Sequence, residues 1–278
     1  MNGDPRTCLA RPGLADLRLE GQVRAERFEA VRPMRCITPC TPIQDAPDAA
    51  AEQQDQLLFG EGFDVLVQQD GWSWGQALRD GYVGYVRAEL LAPREGPPTH
   101  RVKALRTGGF SRPDLKSAPV GFFSVNALVR AGRSENGFIE AGEAGWIHAP
   151  HLAPIAEFEQ DYVAVASRFL GAPYLWGGRD SLGLDCSGLI QQAFYACGRA
   201  CPRDTDQQMA AFDKPAPLSE LSRGDLVFWR GHVGVMLDGL TVLHANAFHM
   251  AVAIEPLAAA VTRIKAAGSG ELMALRRP

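Results

Sequence analysis

Short apolar runs broken by glycine and aspartate fill the first half of this chain. After about position 157 the apolar residues take up helical spacing instead. Phe63–Gln68, Trp72–Leu78 and Val83–Arg87 read as short strands of a small barrel. Residues 41–54 read as a loop, and Arg94-Glu95-Gly96-Pro97-Pro98-Thr99 marks a boundary. Beyond it, Gly121–Arg130 and Gly137–Ile147 repeat the short-strand pattern and suggest a second barrel. Near the N-terminus, Leu14–Phe28 is expected to form a short helix packing through Leu17, Leu19 and Phe28. Over Glu157–Leu170 the residues Tyr162, Val163, Ala166, Phe169 and Leu170 share one side of a predicted helix. A second helix is predicted from Cys186, where Leu189, Ile190, Ala193, Phe194 and Cys197 repeat with a helical period before Gly198 caps it. His232 to Leu237 and Leu240 to His244 then read as a hairpin around Asp238-Gly239.

Helices first and strands after them predict an α+β domain over 156–278. It is preceded by an N-terminal segment at 1–30 and small all-β barrels at 31–95 and 96–155. A composition of 46% apolar and 22% charged residues is that of an ordinary globular protein. With a net charge of -4 and no basic run, no nucleic-acid partner is expected. No apolar run reaches the length of a membrane span, and Met250–Val261 is broken by Glu255-Pro256, so no membrane partner is expected. Met1-Asn2-Gly3-Asp4-Pro5-Arg6 has no basic stretch leading into an apolar one. With Met1 as the start, a cytoplasmic location is expected. There the six cysteines, at 8, 36, 40, 186, 197 and 201, stay reduced. Cys36/Cys40 and Cys197/Cys201 lack a histidine partner, so no metal is expected, and Cys197 falls on the apolar helix face. Nothing fixes an oligomeric state.

The chemistry concentrates around Cys186 in Asp185-Cys186-Ser187-Gly188. At the first turn of a helix, unpaired amides and the positive dipole end favour a thiolate and offer donors to an oxyanion. Gly188 leaves room for close approach. Two histidines follow. A two-residue turn at Asp238-Gly239 would put His232 and His244 on opposite faces. A three-residue loop over 237–239, with Gly239 left-handed at its end, sets them side by side, and this odd-length loop is expected. His232 then takes the thiol proton and later protonates the leaving amine. His244 fixes its tautomer. His249, at an odd offset from His244, ranks below it for that position.

These residues resemble the NlpC-type papain-like cysteine peptidases. The pattern runs Tyr174-Leu175-Trp176-Gly177-Gly178, then Asp185-Cys186-Ser187-Gly188-Leu189, then Gly231-His232-Val233-Gly234, then His244-Ala245. Pro202-Arg203-Asp204-Thr205 with Gln208 fits a further family segment, and the match covers about residues 157–278. The resemblance implies a triad of Cys186, His232 and His244, no cofactor, and cleavage of amide bonds in peptidoglycan stem peptides. Tyr174 and Trp176 match residues lining the site. The chain is also similar to SH3-domain-containing γ-D-glutamyl-L-diamino acid endopeptidases. Its segments around Glu61 and Tyr82 look like those that bear binding residues there. That likeness implies that Glu61, Tyr82 and Asp185 grip the ammonium of an N-terminal L-Ala, a charge-assisted contact. Arg203 and Ser187 would hold D-Glu. The implied partner is a small muropeptide with a free amine. A secreted wall hydrolase, an amidase or acyltransferase on another substrate, and a non-catalytic peptide- or glycan-binding protein stay open as alternatives.

Overall fold

The computed structural model describes residues 3–268 and 270–278. The chain divides into two compact units, residues 1–155 and 156–278.

The first unit is built of strands. Seven of them between Arg32 and Pro93 pair antiparallel. The alternating segments predicted as strands appear as Gly62–Gln69, Trp72–Ala77 and Val83–Arg87. Ile43, Leu57, Phe63, Val65 and Val86 fill their core. Between His100 and Pro154 lie two further small sheets, of three and five strands. Their core, with Val102, Phe123 and Ile147, also takes in Leu58 and Phe59 from the first segment. Phe59 meets Phe123 edge to face at 5.0 Å. The two β segments therefore share apolar contacts within one unit.

Two local expectations fail here. The helix over 14–28 is absent. Leu14–Asp16 is a strand, Leu17–Leu19 a single 3-10 turn, and Phe28–Glu29 a strand again. Asp16 accepts the Arg18 N–H at 2.9 Å, which ends the strand, and Gly21 at φ +78° turns the chain out of the helical path. Leu9 and Leu14, with Leu66 and Trp74, make the anchor, while Leu17 is exposed. The loop over 41–54 is shorter than expected, because Cys40–Gln44 and Gln53–Leu58 pair as antiparallel strands.

The second unit sets helices against a five-stranded antiparallel sheet. Its strands are β1 (Leu226–Trp229), β2 (His232–Met236), β3 (Thr241–Asn246), β4 (Ala251–Pro256) and β5 (Ala274–Arg276). Their spatial order is β4-β3-β2-β1-β5. Helix α1 spans Tyr162–Ser167, shorter than the predicted 157–170, because Asp161 caps it by accepting the Val163 and Ala164 amides. Helix α2 spans Cys186–Ala196 and every one of its residues is buried. It packs on β2 and β3, and Gly198 at φ +70° ends it as predicted. Helix α3 spans Thr205–Ala211, and α4, Leu257–Ala266, begins after Pro256.

Phe194 joins these pieces. It is fully buried, with the rings of Tyr162 at 4.7 Å and Phe212 at 5.0 Å. Phe194→Ala should cost about 3–5 kcal/mol through lost burial and the cavity left behind. Urea unfolding followed by circular dichroism measures this. A loss below about 1 kcal/mol would show that the cluster collapses around the gap.

Candidate active site

Asp185 decides where Cys186 sits. The Asp185 side chain caps α2 by accepting the Gly188 amide at Oδ1, 2.7 Å, and accepts the Gly177 amide at Oδ2, 2.9 Å. Arg203 donates to both oxygens, at 3.0 and 2.5 Å, and the Ser187 hydroxyl donates to Oδ1 at 3.2 Å. Arg203 also donates to the Ser187 hydroxyl at 2.8 Å. Five donors thus converge on two oxygens, which between them offer about four lone-pair sites. All three side chains are buried. The three side chains, expected to face substrate, bond to one another in a buried network that frames the nucleophile.

Gly188 is dictated by packing. A Cβ there would lie 2.2 Å from the Gly178 carbonyl oxygen, so the helix start presses on the loop bearing Tyr174 and Trp176. Trp176 is largely exposed. Tyr174 is partly buried, and burial followed by the nearby Cys186 and Asp185 raises its hydroxyl well above the usual range.

The hairpin brings the histidines together, in a register that differs from the expected one. Val235 pairs with Leu243 and Met236 with Val242, and the Leu237 amide donates to the Thr241 carbonyl at 2.8 Å. The turn therefore runs over 238–240, one residue later than predicted. Asp238 holds it by accepting the Leu240 and Thr241 amides, and Gly239 is not left-handed. The odd length survives, so His232 and His244 share a face as diagonal neighbours. His232 Nε2 and His244 Nδ1 lie 2.8 Å apart. His249 is held elsewhere, its Nδ1 at 2.9 Å from the Asn246 side-chain oxygen in the following turn.

Two residues of this array carried no motif in the sequence. His244 Nε2 lies 2.8 Å from Glu255 Oε1, and Arg263 of α4 donates to the same oxygen. Glu255 had counted only as a break in an apolar run. Its parity on β4 relative to His244 was the available signal.

Helix placement alone does not make Cys186 a thiolate. Burial pushes the thiol up to about 12, with Asp185 adding to the rise, against smaller opposing effects of the Val233 and Ser187 amides and of Arg203. Burial likewise pushes His232 down to about 3, helped by His244 and Arg263. His244 is lowered by burial, and Glu255 partly opposes this. Burial thus disfavours charge on both the thiol and the imidazole, opposing the lowering that the helix terminus was expected to bring. The Cys186 thiol donates weakly to the Gly231 carbonyl, Sγ to O 3.9 Å. The Gly188 amide is taken by the Asp185 side chain and that of Leu189 by the Asp185 carbonyl. The Cys186 and Ser187 amides are the remaining first-turn donors for an oxyanion. Among the described residues no group of three or more His, Cys, Asp or Glu side chains is arranged to hold a metal.

A thiol at a helix start, a histidine base and an orienting histidine make a papain-like array. The NlpC/P60 family matches residues 171–267, and a bacterial dipeptidyl-peptidase SH3 domain matches residues 43–91. A γ-D-glutamyl-L-lysine dipeptidyl-peptidase of Bacillus subtilis (strain 168) is 30% identical over 217 residues, 69% of this chain and 72% of its own. The chain belongs to the NlpC/P60 family. Dipeptidyl-peptidase 6 of Lysinibacillus sphaericus is 33% identical over 224 residues, covering 72% of this chain and 82% of its own. The fold is shared with a crystal structure of an NlpC/P60 family protein from Bacillus cereus ATCC 10987. That likeness has a TM-score of 0.74 and 18% identity over 88% of this chain and 99% of the other. The protein is thus a cysteine peptidase of α+β fold with an SH3-like domain ahead of its catalytic domain.

In this NlpC/P60 protein Glu61 and Tyr82 lie in the first unit. Glu61 is buried, accepting the Leu58 amide at 3.0 Å and the Arg79 guanidinium at 2.9 Å. Tyr82 packs in the barrel core.

Two predictions follow from the catalytic unit. Because its thiol is raised, Cys186 in the free enzyme should react with iodoacetamide faster as pH climbs through 8 to 10. A rate plateau already present below pH 6 would reveal a resting ion pair instead. Arg203→Met should destabilise the unit by about 3–5 kcal/mol, the usual cost of leaving a buried carboxylate unpaired. Thermal unfolding tests this, and an unchanged midpoint would show that Asp185 has another counter-charge.

Proposed function

We propose that this protein hydrolyses the γ-D-Glu–L-diamino acid bond of stem peptides that carry a free N-terminal L-Ala, in the cytoplasm, as part of muropeptide recycling. The observation that carries the reading is the His232–His244 pair, with Cys186 Sγ against the carbonyl of Gly231 just before His232, in a family whose relative in B. subtilis is named for γ-D-glutamyl-L-lysine cleavage.

Each step balances within these groups. Cys186 Sγ attacks the γ-carbonyl carbon of D-Glu as its proton passes to His232 Nδ1, the nitrogen not turned toward His244. The oxyanion takes hydrogen bonds from the first-turn amides of α2. His232 then gives its proton to the departing amine and the C–N bond breaks, leaving a thioester. Water, deprotonated by His232, adds to that thioester and releases the acid, and the thiol is restored.

Asp185 would bind the substrate ammonium, and Ser187 and Arg203 would hold the D-Glu. An ammonium reaching Asp185 must displace a donor already there, since its oxygens are saturated. An N-acyl group lacks the charge to compete, so a free amine becomes a requirement.

The test is hydrolysis of L-Ala-γ-D-Glu-meso-diaminopimelate beside its N-acetylated form, with Cys186→Ala as the inactive control. Release of L-Ala-D-Glu from the free-amine peptide at least about a hundredfold faster, matching the loss of one charge-assisted contact of about 3 kcal/mol, is expected. Equal rates would discard the ammonium requirement and keep the peptidase. No cleavage of either would discard the substrate.

A further inference from the structure

Glu255 occupies a position that decides which nitrogen of His232 bears a proton. Ionised carboxylates only accept hydrogen bonds. The Arg263 guanidinium forms an ion pair with the same Oε1 that faces His244. The 2.8 Å contact therefore requires a proton on His244 Nε2. A neutral imidazole carries one N–H, so His244 Nδ1 must be the acceptor in its 2.8 Å bond with His232. His232 Nε2 must then be the donor, and its single remaining lone pair sits on Nδ1. Each assignment forces the next, and the chain ends with the base's lone pair free for the thiol proton.

Without Glu255 the logic loses its anchor. A His–His hydrogen bond can run in either direction. In the reverse one, His244 Nδ1–H donates to His232 Nε2, His232 carries its proton on Nδ1, and it cannot take one from Cys186. The reversed arrangement also opposes the imidazolium formed during attack, whose Nε2–H would meet another N–H.

We infer that Glu255, ion-paired with Arg263, is a positioning residue that sets the tautomers of both histidines and leaves His232 Nδ1 free to act as the base. The alignment is built into the sheet. Glu255 pairs with Val242 and Ala253 pairs with His244, so Glu255 is the diagonal neighbour of His244 on the same face. Arg263 reaches it from α4 while its guanidinium also lies over the Phe248 ring at 4.4 Å, which limits its swing. The inference rests on the reading of His232 as base and is independent of which peptide is cleaved.

The experiment is a two-bond 15N–1H correlation spectrum of the full-length protein, which distinguishes the nitrogen bearing the proton in each histidine. It is run with iodoacetamide alkylation of Cys186 and peptide turnover. In the native protein both His232 and His244 should appear protonated at Nε2. Glu255→Leu should move His244, and with it His232, toward protonation at Nδ1. Alkylation and kcat should fall at least about tenfold, with KM unchanged. Glu255→Gln should keep the native tautomers and most of the activity, because its amide oxygen can still accept from His244 and from Arg263. This conservative variant separates positioning from loss of fold. Native tautomers in Glu255→Leu would overturn the inference, as would altered tautomers with an unchanged alkylation rate. If the chosen peptide is not a substrate, the spectrum and alkylation still decide.

Discussion

One buried carboxylate holds the catalytic unit in order. Asp185 begins α2, anchors the glycine loop through Gly177, and pairs with Arg203 from the segment leading into α3. A buried ion pair is poor evidence for stability, since two charges leave water to make it. What it supplies here is position. Replacing Asp185 and Arg203 with apolar residues of similar volume would not define where the first turn of α2 starts, and the nucleophile is the first residue of that turn. Gly188 adds a steric limit, because the Gly178 carbonyl occupies the space a Cβ would need.

The same dryness that makes the frame rigid shapes the chemistry. Burial disfavours charge on both the thiol and the imidazole. Proton transfer then belongs to the moment of attack, when the oxyanion donors gain a partner. For such a site the tautomer of the base matters more than its affinity for a proton. A base with its lone pair aimed away from the thiol is inert whatever its pKa.

Much of this was legible in the residues. Cys186 at a helix start, the Gly198 cap of α2 and the parity of the hairpin all follow from local rules that burial did not override. The exact register did not follow, because Asp238 closes its turn with side-chain hydrogen bonds, where Gly239 had been expected to do so with a left-handed backbone. The N-terminal segment misled for a similar reason. Its leucines fit a helix, yet Asp16 and Gly21 redirect the backbone. Glu255 and Arg263 were invisible as site residues because their meaning comes from a third strand and a later helix. Asp185, Ser187 and Arg203 were found as a group, but their mutual saturation is a property of three dimensions and changes what they can offer a ligand.

The polar chain also explains why both turns around β3 are constrained. His232, His244 and Glu255 lie on β2, β3 and β4, and each step from one strand to the next is a diagonal of two residues. Because side chains alternate faces, a slip of one residue in the 238–240 turn would carry His244 to the opposite side of the sheet from His232. A slip in the turn after Asn246 would do the same to Glu255. That second turn is fixed by Asn246, which accepts the His249 amide and faces its ring, and by a left-handed Met250 at φ +50°. His249, considered as a rival for the triad, thus serves the register that lets His244 hold that place. Turn chemistry at the sheet edge and proton placement at the thiol are two ends of one geometric requirement.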